Sequence, residues 1–223
     1  MKMMTNSFKA ASYAAIFKLS GLLKVSFLLG SQMIWFSGIN SVLPLSGAFG
    51  GVLGAGLVFL VRQLVHLFCF KTVSLSFLAL CIPGFCASLY WSSRHAFIRL
   101  FLPLACMVLF IAHPVGGEAF IYSLYWLIPV VLYCVPHRSL FLTALGSTFV
   151  AHAIGSVIWC YTVSMTPGMW MALMPIVALE RTAFALAMVI AHRVISSIFA
   201  MIDLISRRHV SEKNPRVICG GNK

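Results

Sequence analysis

Glu180 and Arg181 stand side by side about eleven residues into the last long apolar run of this chain. A lone carboxylate at mid-depth in hydrocarbon costs roughly several kcal/mol, so an ionisable residue there is a functional candidate by default. Adjacent helical residues point about 100° apart. From spacing alone, the two charges are therefore expected to pair with different helices or with a charged ligand. The plainer alternative is a structural ion pair between helices.

A second group lies on the run before it. Thr148, His152, Gly155 and Trp159 follow an i, i+4, i+7 spacing and share one helical face. Histidine supplies a donor and an acceptor, tryptophan a flat stacking surface, and glycine leaves room. Together they suit a heterocyclic solute, although a single intramembrane histidine is also accounted for by a hydrogen bond to a neighbouring helix. A third candidate is Glu118, directly after His113-Pro114-Val115-Gly116-Gly117. It is expected to open a helix over 119–135, where a first-turn carboxylate is favoured by the helix dipole. The functional alternative makes this glycine-rich break the mouth of a site, with Tyr122, Tyr125 and Trp126 below it.

His152 and Glu180 flank the short connection 163–168, about eleven residues before it and twelve after it. A short connection makes the two helices antiparallel neighbours. At about 1.5 Å per residue, both residues lie some 17 Å below the turn. They are level in the membrane, and the expectation is one polar cavity between the last two helices.

The elements that carry these residues are hydrophobic throughout. Apolar residues make up 61% of 223 positions and charged residues 9%, against about 25% charged in soluble domains. Lipid must be the solvent, which makes the chain an all-α polytopic transmembrane helix bundle. Apolar runs cover 47–69, 72–91, 97–113, 119–135, 139–162 and 169–200. A span takes about 20 residues, so the third and fourth are short. Three regions follow: a basic helix with a re-entrant or paired segment over 1–46, a bundle over 47–200, and a basic tail over 201–223.

Charge orients the bundle. The net charge is +12, and the four acids are Glu118, Glu180, Asp203 and Glu212. The bases gather at both ends and near Arg94, Arg99 and Arg138. Basic flanks of spans mark the cytoplasmic side. About six spans with both termini cytoplasmic satisfy this pattern, leaving Lys71 as the one exception. Nucleic acid is not an expected partner; membrane lipid is. Lys18 and Lys24 interrupt the first apolar run, so no cleavable signal peptide is expected. Seven cysteines lie singly, without a Cys-x-x-Cys pair, and read as small buried apolar residues. Gly47/Gly51, Gly50/Gly54 and Ala183/Ala187/Ala191 are small-residue pairs and triples expected to pack inside the bundle. No nucleophile elbow, zinc-protease motif or phosphate loop occurs. Neither an enzyme nor a bound cofactor or metal is expected.

One family resemblance is carried by the first quarter of the chain. A basic N-terminal helix with Ala10/Ala14 and Ala11/Ala15, followed by Pro-Leu-Ser-Gly-Ala-Phe-Gly-Gly at 44–51, resembles the substrate-binding subunits of energy-coupling factor vitamin transporters. The resemblance implies a bacterial inner-membrane protein of six spans that binds a vitamin or metal. It also implies that Ala10, Ala11, Ala14 and Ala15 dock on a transmembrane coupling subunit energised by separate ATPases. Two other classes stay open: an intramembrane enzyme acting on a lipid or prenyl substrate, and a structural assembly protein.

The parity of the basic clusters gives a first prediction. Reporter fusions at Lys2 and at Lys223 will both register in the cytoplasm; opposite locations would break the charge argument and favour seven spans.

Overall fold

The computed structural model describes residues 43–71, 75–136 and 139–213, with the side chains of Ser76 and of 206–213 left aside. Ala10, Ala11, Ala14 and Ala15 lie outside the described residues, as do His137, Arg138 and Cys219. All the described secondary structure is helical. Helix α1 is Leu45–Phe70, α2 is Leu75–Ser92, and α3 is Leu102–Ala112, entered through a π turn at Phe97–Phe101. A five-residue α4, Pro114–Glu118, and a 3₁₀ turn, Phe120–Trp126, lead into α5, Leu127–Cys134. Helix α6 is Leu140–Thr162 and α7 is Pro167–Lys213.

Among the described residues three helices are long and apolar enough to cross a membrane: Leu45–Phe70, Leu140–Thr162 and Pro167–Ile205. The stretches Phe77–Ser92, Phe97–Ala112 and Phe120–Cys134 are apolar but shorter. The apolar exterior agrees with a lipid environment: Leu53, Leu57, Phe68, Leu179 and Ile190 all point outward.

Helix α6 is the axis on which the other helices pack. Ser139 starts it by accepting the Leu142 N–H on its side chain, 3.2 Å away. Its buried positions are mostly small: Ala144, Gly146, Ser147, Thr148, Ala153 and Ser156. In lipid no hydrophobic force draws helices together, so close backbone approach along small residues supplies the packing energy. Gly146 shows this most directly. A Cβ there would overlap the Tyr90 hydroxyl of α2. Beside it, Ser147 donates its hydroxyl to the Ala87 carbonyl at 3.1 Å. Two buried clusters result. The larger joins Tyr90, Phe110, Tyr122, Trp126, Phe149 and Trp170; the smaller joins Leu45, Ala144, Ala185 and Met188.

Several local expectations change. Residues 45–50 are helix rather than turn, and the break falls at Gly51, whose φ of 61° and ψ of −154° kink α1. Only glycine adopts such a conformation without strain. Of the glycines expected to pack, Gly47 sits against the Ser88 carbonyl, whereas Gly50 and Gly51 have open space around them. The alanine stripe also divides: Ala183 and Ala187 are exposed and Ala191 packs on the smaller cluster. Core packing on this helix comes instead from Ala185 and Met188, at the offset face. Cys69 and Cys134 are exposed, while Cys81, Cys106 and Cys160 are buried. Helix α7 runs unbroken through residue 201, so the tail begins as helix.

Gly47 and Gly50 form a matched test of this packing. Gly47→Ala must push α1 off the α2 backbone, an overpacking cost of about 1–3 kcal/mol, and should lower the thermal midpoint in detergent. Gly50→Ala should change stability by no more than about 0.5 kcal/mol. Equal midpoints for the two variants would show that α1 does not depend on the contact.

Candidate functional site

Of the residues singled out on α6, His152 meets Tyr122, a side chain of the 3₁₀ turn. Its hydroxyl lies 2.9 Å from His152 Nε2 and 3.5 Å from Ser156 Oγ. Ser156 Oγ is also 3.5 Å from the same histidine nitrogen, so the three polar groups form a triangle. Histidine at 152 and serine at 156 are one helical turn apart, which aims both at the ring brought in by the 3₁₀ turn. Whichever atom carries the proton, the histidine finds a partner without water.

Aromatic rings surround this triangle. Tyr122 meets Trp170 edge-on at 4.9 Å and Trp126 edge-on at 6.3 Å, and stacks with Phe110 at 5.7 Å. Tyr125 stacks on Phe149 at 5.8 Å and donates its hydroxyl to the Met174 carbonyl at 3.1 Å, one residue before Pro175. The indole N–H groups of Trp126 and Trp170 are buried without hydrogen-bond partners. Such donors cost about 1–3 kcal/mol each, a cost that an acceptor on a bound solute would remove.

Helix α7 brings the charges. Arg181 and Glu180 pair directly at 2.7 Å, with side chains 13% and 28% exposed. This corrects the expectation that adjacent residues cannot meet. The backbone directions do diverge, but both side chains are long, and they converge beyond the helix surface. Arg181 also lies over the Phe184 ring at 4.8 Å, and its Nε is buried with no partner. Arg181 is within electrostatic reach of both His152 and Tyr122, and Glu180 of Tyr122.

The remaining candidates lie elsewhere. Thr148 is buried and spends its hydroxyl on the Leu145 carbonyl at 2.8 Å. Gly155 faces Pro83 of α2, the nearest atom to a Cβ built there, at 3.9 Å. Trp159 is 43% exposed on the outside of α6. Glu118 is exposed, and it closes α4 instead of opening a helix over 119–135. The chain after it winds as a 3₁₀ turn, so the expected first-turn capping has no helix to act on. Gly116 explains the tight corner: its Cα packs against the Phe110 carbonyl, where a Cβ would overlap.

Sequence reasoning passed over Ser156 and Trp170 and took Arg99 for a topology marker alone. Ser156 was legible as the i+4 partner of His152; Trp170 and Arg99 reach the core only through tertiary packing. Among the described residues no group of three His, Cys, Asp or Glu side chains converges as a metal site would. No protein-family model, no curated protein and no solved structure matches this chain.

The Tyr122 hydroxyl is the link that joins the 3₁₀ turn to α6. Tyr122→Phe, which keeps the ring, should destabilise the protein by about 0.5–2 kcal/mol in a mixed-micelle unfolding titration. Tyr161→Phe, whose exposed hydroxyl donates to the Leu109 carbonyl at 2.9 Å, should cost less. An unaltered midpoint for Tyr122→Phe would remove the triangle from the stabilising interactions.

Proposed function

We propose that this chain is a non-enzymatic, integral membrane subunit that binds a small solute of heterocyclic or vitamin-like character for uptake. The observation that carries the proposal is the half-buried Arg181 guanidinium, whose Nε has no hydrogen-bond partner among the described residues and whose charge acts on His152 and Tyr122. Arg181 and Glu180 together offer a charge pair that can exchange its internal contact for one to a ligand. The triangle offers both donor and acceptor, and Trp170 and Trp126 offer ring faces and free N–H groups. The rings of this cluster touch, so a solute enters by displacing one of them.

Six spans with both termini cytoplasmic in a bacterial inner membrane fit the charge pattern, with α2, α3 and the 3₁₀–α5 segment as short or tilted crossings. The sequence holds no nucleotide-binding motif, so uptake draws its energy from a separate subunit. The resemblance to energy-coupling factor transporters makes that partner a transmembrane coupling subunit with ATPases, docked through Ala10, Ala11, Ala14 and Ala15.

Native mass spectrometry of the purified chain tests this reading by looking for a retained small molecule. Glu180→Gln and His152→Ala should each weaken retention about tenfold or more while the protein stays folded, as expected for lost hydrogen bonds to charged or buried groups. Wild-type retention by both variants would overturn the site.

A further inference from the structure

At the opposite end of the α2–α3 hairpin from Glu118, a separate cavity of about 290 Å³ opens between the end of α2, the π turn and the start of α6. Its walls are Trp91, Ser92, Ser93, Arg94, Arg99 and Thr143. The volume is roughly ten times the 30 Å³ share of one water. The lining carries two guanidinium groups and three hydroxyls, and no acid among the described residues contributes to it.

Arg99 sets the character of this cavity. It is only 4% exposed, donating through Nη2 to the Tyr90 carbonyl at 2.7 Å and through Nε to the Ser93 carbonyl at 3.0 Å. Its guanidinium also lies 4.2 Å from the Tyr90 ring centroid. These carbonyls belong to the last turn of α2 and the residue after it. A helix C-terminus contributes the equivalent of about half a negative charge, so the cation is braced but not neutralised. The two bonds engage two of five guanidinium donors. Arg94, which is exposed, adds a second positive charge to the same walls.

Of the wall hydroxyls, Ser92 and Thr143 donate to the Leu89 and Ser139 carbonyls, at 3.0 and 3.3 Å. Ser93 Oγ already accepts the His95 N–H at 3.2 Å, which leaves its own O–H to donate. The Trp91 ring, stacked on His192 at 5.7 Å, forms the apolar part of the wall. Arg99 owes its inward aim to the π turn, in which the Leu102 N–H reaches back to the Phe97 carbonyl. Such single-turn bulges concentrate at functional sites. A purely structural brace would explain Arg99 and its two carbonyls. It does not explain an open cavity that gathers a second arginine and a serine hydroxyl with its proton left to donate.

We propose that this cavity is an oxyanion site that takes a phosphate-type group, carried on a lipid headgroup or free in solution. Guanidinium groups bind phosphate through paired N–H donors. The site is distinct from the solute site and does not depend on it. Its position at a helix end suits a headgroup, since basic pockets between spans bind anionic lipids on the cytoplasmic side.

The test uses the full chain and two probes. In nanodiscs of mixed phosphatidylglycerol and phosphatidylcholine, native mass spectrometry should show phosphatidylglycerol retained by the wild type. Arg94→Gln should reduce that retention about fivefold, the share of one interfacial arginine. In neutral detergent without lipid, inorganic phosphate should raise the thermal midpoint above that in chloride of matched ionic strength, and Arg94→Gln should abolish the difference. Ser93→Ala, which removes the wall hydroxyl whose proton is left to donate, should weaken both responses and guards against a folding defect in the arginine variant. Lipid retention without a phosphate response assigns the site to a headgroup; the converse assigns it to a free anion. Neither response in the wild type, or responses of equal size in the wild type and both variants, would overturn the proposal.

Discussion

A polar group buried in hydrocarbon has no water to turn to, and its partner must come from the protein itself. In this bundle that constraint falls most heavily on α6. Ser147 reaches the α2 backbone, and His152 and Ser156 reach Tyr122 on the 3₁₀ turn. These bonds tie two different elements to the same helix. Replace the polar residues of α6 by leucine and the helix would be as apolar as its surroundings, with nothing to choose one neighbour over another. The bonds therefore set which elements meet, and the small residues set how closely.

Close approach and polar satisfaction are coupled at Gly146 and Tyr90. The glycine lets the tyrosine lie against α6, and the tyrosine ring in turn supports Arg99 from below. The Tyr90 carbonyl accepts from the same arginine. One small residue on α6 thus determines where a charge at the end of α2 can sit. The Tyr122 cluster shows the same dependence in reverse. Gly116 permits the tight corner after α3, and that corner delivers Tyr122 to His152.

The sequence made the long helices legible because they needed no information beyond hydrophobic length. The run 139–162 became Leu140–Thr162, and the C-terminal run became one helix that continues beyond it. Residues 114–126 were harder, since a glycine pair and four aromatic residues read equally well as a helix start or a loop. Their division into a short helix and a 3₁₀ turn is decided by contact with the Phe110 carbonyl. Gly51 was missed for a similar reason: it is one of several glycines in its run, and only its backbone angles single it out as the break. At the site, the 3.6-residue period placed Thr148, His152, Gly155 and Trp159 on one face, but a face is not a neighbourhood. Neighbouring elements cover α6 at His152 and leave it open at Trp159.

The two buried arginines show why burial alone does not define what a charge does. Arg181 has a carboxylate on the next residue, so the pair is locally neutral and can persist at mid-depth in α7. Neutrality lowers the cost of burial but does not remove it, because two desolvated charges rarely recover all that water gave them. A polar solute that bonds both partners offsets the remainder, which is why such a pair is better suited to binding than to stability. Arg99 has no adjacent acid and is held by carbonyl dipoles, which satisfy donors without cancelling charge. A cation in that state cannot move deeper into the bundle and has to stay at a helix end. The depth of each arginine follows from its partner: a carboxylate allows the interior, and a helix terminus confines the charge to the interface.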